Sequence, residues 1–430
     1  MKKCLSILII SLLLSLCFSV NSVSSEDTIA ALDVTTLYVD DDYSSSTPGW
    51  GVDCFNAIQN AIDNASDGDT VFIYKGIYYD KVKLNEGKSS NVILNKKLHL
   101  IGEDKNDTII HGGSFEGENY SRRDPASYYC GIYLETENSI IEGVTITNCY
   151  IGIFITNGKN NHIKNNILTN ITDEGVKIEN SEKNQISNNI FYETGDIGIN
   201  SRSSNENVIS NNKIFDVRYC GIYSYNSNQN IIFGNNISLT KYWIYKDFKY
   251  KTDYGICDHI YDDSECKKTK IYHNVITGVS KGISVEGKQK EINGNNIYNC
   301  SLGIRNLGIN NLIFNNNLTK NKYGIFNTGF FNKIFGNNIE NNKIGIELSG
   351  SVSNRIYENN LINNNKNAFF RESFLNKWGK NYWNESRNLP ICIKGGVHWY
   401  KPDGYGSNEE VIICNLYNFD WHPAKEPYDI

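Results

Sequence analysis

The chain has 430 residues and a formal net charge of −6 at pH 7. That length allows two or three ordinary domains or one long array of repeats, and the acidic balance leaves no basic footprint for nucleic acid. The single methionine argues against a thioether copper site, because soft copper sites depend on Met and Cys.

The N-terminus has the three parts of a secretory signal peptide. Lys2 and Lys3 form a positive region, residues 5–20 form an apolar core, and small polar residues follow. The apolar run is too short for a comfortable membrane span. We therefore predict a signal peptide over residues 1–25, cleaved between Ser22 and Ser25. The mature chain is expected to have no membrane span and to be secreted, extracellular or held at the cell surface.

Nine cysteines remain after the predicted cleavage, an odd number that leaves at least one unpaired even in an oxidising compartment. Cys257 with Cys266 would close a local loop, and Cys392 with Cys414 would staple the C-terminal region. The spacing does not decide either pairing. For the cysteines inside repeats, a buried free thiol is the simpler interpretation.

Most of the chain is an internal repeat. Glycine followed by isoleucine or an equivalent residue recurs from Gly131 to Gly345, in most units at steps of 21 or 23 residues. A second mark, I-x-x-N-x-[ILF], keeps the same register, which establishes a true repeat. Its asparagines are Asn166, Asn189, Asn212, Asn235, Asn274, Asn295, Asn316, Asn337 and Asn359.

The repeat is too short for two packed helices, and it lacks a helical period. Each unit holds three short β-type runs separated by Asn, Gly and Ser. This pattern predicts an all-β fold, a right-handed parallel β-helix that winds as a single-stranded solenoid with three short strands per coil. The recurring asparagine is expected at a tight turn that needs a left-handed backbone, where its amide bonds to the asparagine of the next coil. We predict a structural role for this ladder.

The two ends of the solenoid differ from the repeat. Residues 54–65 predict an amphipathic capping helix with Phe55, Ile58 and Ile62 on one face. From Phe374 an aromatic segment predicts an irregular C-terminal cap. The predicted organisation is a signal peptide over 1–25, an N-terminal cap and first coils over 26–110, repeats over 111–373 with an insertion near 238–270, and a C-terminal cap over 374–430.

With these repeats in view, the chain resembles the NosD-like family of parallel β-helices, whose repeats also occur in carbohydrate-binding and sugar-hydrolysing β-helices. The G-I and I-x-x-N-N-I units match the family's repeat, and "AIQNAIDNASDGDTVFIYKGIYYDKV" is similar to the N-terminal segment of pectate-lyase-like folds. "NYW" at Asn381–Trp383 and the ending "NFDWHPAKEPYDI" resemble the tail of archaeal secreted members. The resemblance covers nearly all of the mature chain and implies a fold more strongly than a chemistry. NosD itself is associated with maturing a copper enzyme, a role that this chain's residues do not support by themselves.

Residues that alternate with the buried positions are expected to form columns on the outside of the solenoid. On the first coils these columns mix acids, bases and aromatic rings. This mixture suits a sugar polymer, because rings stack on pyranose faces and charges meet hydroxyls or uronate carboxylates. The candidate substrate-binding residues are Tyr133, Glu179, Tyr223, Tyr225 and Trp243, the last in an aromatic insertion of the kind that often carries binding.

Asp173 and Asp196 occupy one column on adjacent coils, roughly one strand spacing apart. Such a pair could hold calcium or serve as the carboxylates of a retaining glycosidase, and in a lyase Lys177 or Arg202 would be the base. Pairing of Lys177 with Glu179 and of Glu179 with Arg202 on a solvated sheet is the competing, structural interpretation. Calcium is the only cofactor suggested, and no transition-metal site is expected because the histidines form no ligand motif.

Three functions remain open from the sequence. The leading hypothesis is an exported monomer that binds polysaccharide or cell-envelope glycan without strong catalytic activity. The first alternative is a polysaccharide lyase or glycoside hydrolase acting in an acidic groove. The second is a NosD-like accessory factor for maturation of an exported metalloenzyme.

Overall fold

The computed structural model describes residues 34–84, 89–112, 129–239, 242–245, 248–260, 268–386, 389–402 and 408–430. Residues 35–430 form one unit. The predicted signal peptide and Cys266 lie outside the described residues. Within the described ranges, the structure contains no helix with the length and apolar character needed to cross a bilayer.

The repeats wind into a parallel β-helix, as predicted, and its strands form three stacks. Each complete coil contributes one short strand to every stack. Stack 1 contains the Gly-Ile motif and consists of Ser89–Leu94, Tyr129–Leu134, Ile151–Thr156, Glu174–Glu179, Ile197–Arg202, Cys220–Tyr225, Tyr254–His259, Lys281–Val285, Leu302–Asn306, Tyr323–Asn327, Ile344–Ser349 and Lys366–Arg371.

Stacks 2 and 3 follow stack 1 along each coil. Stack 2 consists of Thr36–Val39, Thr70–Ile73, His99–Gly102, Ile140–Glu142, His162–Lys164, Gln185–Ser187, Val208–Ser210, Ile231–Phe233, Lys270–Tyr272, Glu291–Asn293, Leu312–Phe314, Lys333–Phe335, Arg355–Tyr357 and Lys377–Gly379. Stack 3 consists of Gly76–Tyr78, Thr108–His111, Thr145–Thr147, Ile167–Ile171, Ile190–Thr194, Lys213–Phe215, Asn236–Ser238, Val275–Thr277, Asn296–Tyr298, Asn317–Thr319, Asn338–Glu340 and Asn360–Ile362.

Columns of aliphatic side chains fill the interior. Ile153, Val176 and Ile199 of stack 1 lie opposite one another on successive coils and are fully buried. Leu, Ile, Phe and Trp side chains continue equivalent columns in stacks 2 and 3. Each coil therefore buries its apolar side chains against the coil before and the coil after, which is how a solenoid builds its core.

The Gly-Ile motif has a steric cause. A Cβ on Gly221 would point into the core, 2.9 Å from Ile237 Cγ2, and would lie 2.7 Å from the carbonyl oxygen of Gly255 on the next coil. The fully buried side chain of Ile222 also belongs to the core. Because two consecutive residues face inward, the residue before the glycine turns outward: Cys220 packs in a separate outer cluster.

The recurring asparagines form a ladder of hydrogen bonds from coil to coil. All nine predicted asparagines are fully buried. Each donates from its backbone N–H and from its side-chain amide to the side-chain oxygen of the next one; for Asn316 and Asn337 these distances are 3.1 and 2.9 Å. The ladder extends one coil further than predicted, to Asn381, whose amide donates to Asp420 Oδ2 at 3.1 Å. The ladder therefore satisfies turn groups that are closed off from water.

The left-handed backbone falls on a different residue from the one predicted. It belongs to the residue before each ladder asparagine, as at Asn165, Asn188 and Asn315, with φ of 55°, 58° and 55°. The N-N pairs of the repeat thus divide two tasks. The first asparagine adopts the turn conformation and the second forms the ladder.

A second ladder was not predicted. It runs through Asn161, Asn184, Asn207 and Asn230, and again from Asn311 through Asn332, Asn354 and Asn376. Thr269 and Lys290 take the equivalent places between the two runs. Because these two coils lack the asparagine, a search of the sequence for one residue type that recurs in every coil does not find this ladder.

A helix packs against the first coil, in the region predicted for the cap. It spans Ile58–Asn64 and buries Ile58, Ala61 and Ile62. It begins later than expected, because Cys54–Phe55 is instead a short strand that pairs with Tyr38 and Val39. A further short strand, Val82–Lys83, pairs antiparallel with the first strand of stack 1.

The C-terminal segment is more regular than predicted. It forms a long antiparallel hairpin of Ile391–Pro402 and Asn408–Asp420. The first strand pairs with the last strand of stack 1, where Phe370 lies opposite Gly395. The second pairs with stack 2, where Trp378 lies opposite Asp420. The expectation of an irregular cap therefore needs correction.

Two further features concern the insertion and the cysteines. The insertion contains an antiparallel hairpin of Tyr242–Tyr245 and Phe248–Lys251.

The disulfide considered between Cys392 and Cys414 is not present in the structure. Cys392 is a free thiol opposite Phe419, and Cys414 lies opposite Val397, at a different position along the C-terminal hairpin. For the other pairing, Cys257 is a free, buried thiol.

Candidate functional site

Four tyrosines meet on the outer face of stack 1, and we call Tyr219, Tyr223, Tyr225 and Tyr254 the tyrosine patch. The rings of Tyr223 and Tyr225 are stacked, with centroids 5.8 Å apart and planes 20° from parallel. Tyr219 meets Tyr254 edge to face at 5.6 Å and Tyr223 at 6.4 Å. The rings remain partly exposed, and Tyr219 is 37% exposed. Rings that hold one another in place form a preorganised apolar platform with polar hydroxyls.

Cations border the tyrosine patch. The Arg202 guanidinium lies 5.5 Å from the centroid of the Tyr225 ring, and Lys281 Nζ lies 4.3 Å from that of Tyr254. Such contacts hold a positive charge over an aromatic face. Burial is the main cause that raises the pKa of Tyr254, so its hydroxyl stays protonated at neutral pH. The patch therefore presents ring surface, hydroxyl donors and positive charge together.

Two thiols lie beneath the patch. Cys220 and Cys257 are fully buried, and the Cys257 thiol is in hydrogen-bonding contact with Cys220 and His259. His259 Nε2 lies 3.0 Å from Ser284 Oγ. Burial raises the pKa of Cys257 well above its usual value. The protonated thiol is therefore a packing group and not an activated nucleophile.

The predicted residues at the N-terminal end of this face are engaged with one another. The Tyr133 hydroxyl donates to Glu135 Oε2 at 3.3 Å, and burial raises the pKa of Tyr133 to about 12. Lys177 is only 8% exposed. Its Nζ lies 4.8 Å from the centroid of the Phe154 ring and 3.6 Å from Glu179 Oε2. The predicted pairing of Lys177 with Glu179 is present, which leaves Lys177 poorly placed to act as a base.

Asp173 and Asp196 do lie on adjacent coils, since the Asp196 N–H donates to the Asp173 carbonyl oxygen at 2.7 Å. The Asp196 carboxylate, however, accepts a hydrogen bond of 2.6 Å from Arg218 Nε. Arg218 was not among the predicted residues. A calcium ion or a glycosidase mechanism would require Arg218 to be displaced from a charge-assisted bond. Within the described residues no ion pair joins Glu179 to Arg202, although the two lie opposite each other.

Glu174 lies on the outer face of stack 1, although a strict alternation of inward and outward residues along the strand would place it inside the solenoid. It precedes Gly175 and therefore turns outward, where its Oε1 accepts a hydrogen bond of 2.5 Å from Asn200 Nδ2. Asn200 is itself only 1% exposed. Burial is the main cause that raises the pKa of Glu174. A simple two-residue period predicts this position to be inside.

The raised pKa of Glu174 predicts a pH-dependent stability. The folded state holds the proton of Glu174 more tightly than the unfolded state does. The stabilisation of the folded state by this proton is therefore fully present below the unfolded pKa of about 4.3, and it is lost as pH rises through the folded pKa. We expect Glu174→Gln to raise Tm relative to wild type at pH 7 and to change it little at the acidic end of a thermal denaturation series.

Glu182 supplies a control of opposite sign. The contact with Lys159 lowers the pKa of Glu182, so Glu182→Gln should lose a small amount of stability at neutral pH and none in acid. A Tm difference between Glu174→Gln and wild type that is constant across pH would contradict the assignment.

Trp243 remains a prediction. Its backbone lies in the strand Tyr242–Tyr245 of the inserted hairpin, and its side chain is not among the parts of the chain that the structure describes. The hairpin connects the stack 3 strand Asn236–Ser238 to the stack 1 strand Tyr254–His259. The insertion therefore enters the chain directly before the strand that carries one edge of the tyrosine patch.

The three stacks, the inward glycines and the asparagine ladders define a parallel β-helix protein. The family model of NosD, described as a periplasmic copper-binding protein, matches residues 62–262 and 264–404. The chain therefore belongs to the NosD family.

Solved structures of other proteins are similar to the chain. DFA-IIIase from Arthrobacter chlorophenolicus A6, without its lid, shares 12% identity over 81% of this chain and 94% of that one, with a TM-score of 0.50. The A-module of mannuronan C-5 epimerase AlgE6 from Azotobacter vinelandii shares 14% identity over 75% of this chain and 94% of that one, with a TM-score of 0.47. At these identities the likeness concerns the fold alone. No curated protein sequence matches the chain.

The family's description raises the question of copper. Within the described ranges, Asp40, Asp41 and Asp42 are the one group of three or more acidic, His or Cys donors whose ligand atoms all lie within 4.8 Å of one another. Carboxylates suit hard cations, whereas copper in such sites prefers thiolate, thioether and imidazole ligands. Cys257 touches Cys220 and His259, but these three do not close into such a group and the thiol is protonated. The described residues do not fit a resident copper ion.

Proposed function

We propose that this chain is an exported member of the NosD family that binds polysaccharide or cell-envelope glycan at the tyrosine patch. The observation that carries the proposal is the patch itself, in which four partly exposed rings hold one another in place. A pyranose ring presents an apolar face that can lie on such rings, while hydroxyl groups and cations at the edge bind its polar substituents. The signal peptide predicted from the sequence and the periplasmic description of the family support export.

Binding without cleavage agrees with the state of the candidate catalytic groups. Lys177 is nearly buried beside Glu179, and Asp196 is bonded to Arg218. The Cys257 thiol has a raised pKa. None of these arrangements presents a free acid and a free base at hydrogen-bonding distance from one ligand, which general acid–base chemistry requires.

The proposal predicts that removal of two rings weakens glycan binding. A ring contact contributes about 1 kcal/mol, so Tyr223→Ala with Tyr225→Ala should lower affinity roughly 10- to 100-fold for the best ligand in a polysaccharide panel. Affinity electrophoresis would identify the ligand, and titration calorimetry on an oligomer of it would measure the loss.

Tyr298→Ala is the matched control, because this tyrosine lies on stack 3. Its affinity should equal that of wild type. Equal affinities of the double variant and wild type, in samples with unchanged circular dichroism, would remove the patch from the binding site.

The same panel distinguishes the other two functions. Release of reducing ends or unsaturated ends from a polysaccharide, abolished by Asp196→Asn, would establish a hydrolase or lyase. Binding of one equivalent of copper, lost in Cys257→Ser, would favour an accessory role in metalloenzyme maturation.

A further inference from the structure

A column of stacked aromatic rings runs along the outer face of stack 2 near the C-terminal end. Phe314, Phe335 and Tyr357 lie opposite one another on successive coils. Neighbouring ring centroids are 5.1 Å apart, and the planes are within 3° of parallel. The rings therefore cover one another face to face in the interior of the column.

The column ends at a glycine. Gly379 lies opposite Tyr357 on the next coil, where another ring would continue the stack. A Cβ at Gly379 would meet no heavy atom within 4 Å, and the backbone there does not have positive φ. The missing side chain leaves an open place above the last ring.

The open place belongs to a cleft. A cavity of about 470 Å³ is lined by Tyr357, Gly379, Lys380 and His422, among others. A neighbouring cavity of about 750 Å³ continues from it and shares Lys333 and Arg355. We call the two together the stack 2 cleft. Its lining residues Lys333, Arg355 and Lys377 come from three successive coils, which span roughly 10 Å at the usual strand spacing.

The cleft is lined by the cations Lys333, Arg355, Lys377 and Lys380 and by one carboxylate, that of Glu358. Lys333, Arg355 and Lys377 are exposed and lie opposite one another on successive coils. Among the described residues none of the three forms an ion pair, whereas Lys380 lies 3.8 Å from a carboxylate oxygen of Glu358. Like charges directly opposite each other on a sheet are destabilising. An anionic ligand would relieve this repulsion.

We propose that the stack 2 cleft binds an acidic glycan, with one pyranose ring placed over Tyr357 at Gly379. The apolar face of the sugar continues the aromatic stack, and its carboxylate pairs with Arg355, a side chain suited to bidentate carboxylate binding. Neighbouring acidic sugars then meet Lys333 or Lys377. The tyrosine patch lies on stack 1, so this site does not depend on the function proposed for the patch.

Filling the open place tests the proposal. Gly379→Phe should extend the stack without a clash, keep the far-ultraviolet circular dichroism and Tm of wild type or raise Tm, and lower affinity for hexagalacturonate at least 10-fold. Gly379→Ala should bind hexagalacturonate as wild type does, because a methyl group leaves the Tyr357 face largely open. Arg355→Gln should weaken binding several-fold and reduce its dependence on salt.

Calorimetry with three probes separates the possible ligands. Hexagalacturonate should bind, and neutral maltohexaose should bind at least 10-fold more weakly. AMP, a small anion with an aromatic ring, is the third probe and should bind more weakly than hexagalacturonate. The proposal would be overturned if the two sugars bound equally well or if AMP bound more tightly. It would also be overturned if wild type did not bind hexagalacturonate or if Gly379→Phe bound it as wild type does. Tyr223→Ala with Tyr225→Ala should leave hexagalacturonate binding at the stack 2 cleft intact, which distinguishes failure of one site from failure of the other.

Discussion

Replacement of Asn316 by alanine is expected to lower the free energy of unfolding by roughly 3–5 kcal/mol, because several buried polar groups lose their partners at once. The Asn316 amide donates to the carbonyl oxygens of Ile292 and Phe314 and to Asn337 Oδ1. Its side-chain oxygen accepts from the backbone and the amide of Asn295. Alanine supplies none of these bonds, and water has no access to the turn.

Asn317 supplies the control for this prediction. It follows Asn316 directly, is exposed, and makes side-chain bonds to Asn296 and Asn338 on the neighbouring coils. Asn317→Ala should therefore cost less than about 1 kcal/mol. Urea denaturation followed by circular dichroism measures both. Equal losses in the two variants would mean that burial of the ladder contributes little.

Lys290→Met is expected to destabilise the chain by about 3–5 kcal/mol, because it leaves a buried carboxylate without its cation. Lys290 and Asp258 form an ion pair in which both side chains are fully buried. Asp258 Oδ1 has no hydrogen-bond partner. Lys290 stands where the second ladder elsewhere has asparagine, and its N–H donates to Asn311 Oδ1 at 2.9 Å.

A double replacement should recover the loss. Earlier in the solenoid the Asn230 amide donates to the hydroxyls of Ser201 and Ser224, at 3.3 Å each. Asp258→Ser combined with Lys290→Asn would supply one such hydroxyl, on the preceding coil as Ser201 does for Asn230, and would remove both buried charges. Val285 takes the place that corresponds to Ser224. We expect the stability of the double variant to equal or exceed that of wild type. A double variant as unstable as Lys290→Met would show that the ion pair is favourable in its own right.

The solenoid and its main ladder could be predicted because each rests on a repeat of residue type. The same asparagine returns in every coil from Asn166 to Asn359, and the glycine before each inward isoleucine returns with it. One repeated sequence mark predicts many stacked contacts, since every coil contacts only its neighbours.

The second ladder and the buried ion pair could not be predicted in the same way. Thr269 and Lys290 interrupt the asparagines, and a lysine in a turn is ordinarily exposed. Only the register with neighbouring coils shows that Lys290 points to Asp258. The regular hairpin at the C-terminus was missed because its strands pair across a long span of sequence, from Ile391 to Asp420.

The candidate site was predicted in part. Tyr223 and Tyr225 were assigned to the outer face, because they alternate with the inward residues of their strand. Tyr254 and Glu174 were not predicted as site residues. Each precedes a glycine that faces inward, so each faces outward where a two-residue period places it inside. Arg218 lies between strands, where no period applies, so its bond to Asp196 depends on the fold of the turn.

The central proposal is that this NosD-family chain holds a glycan on the outside of its solenoid and leaves it intact. The most direct measurement incubates the wild-type protein with polygalacturonate and with the polysaccharide that binds best in the panel, and follows both retention of the protein and polymer length by size-exclusion chromatography. We predict that the protein elutes with at least one polymer and that the polymer keeps its length. Failure to co-elute with any glycan, or a polymer that shortens with time, would contradict the proposal.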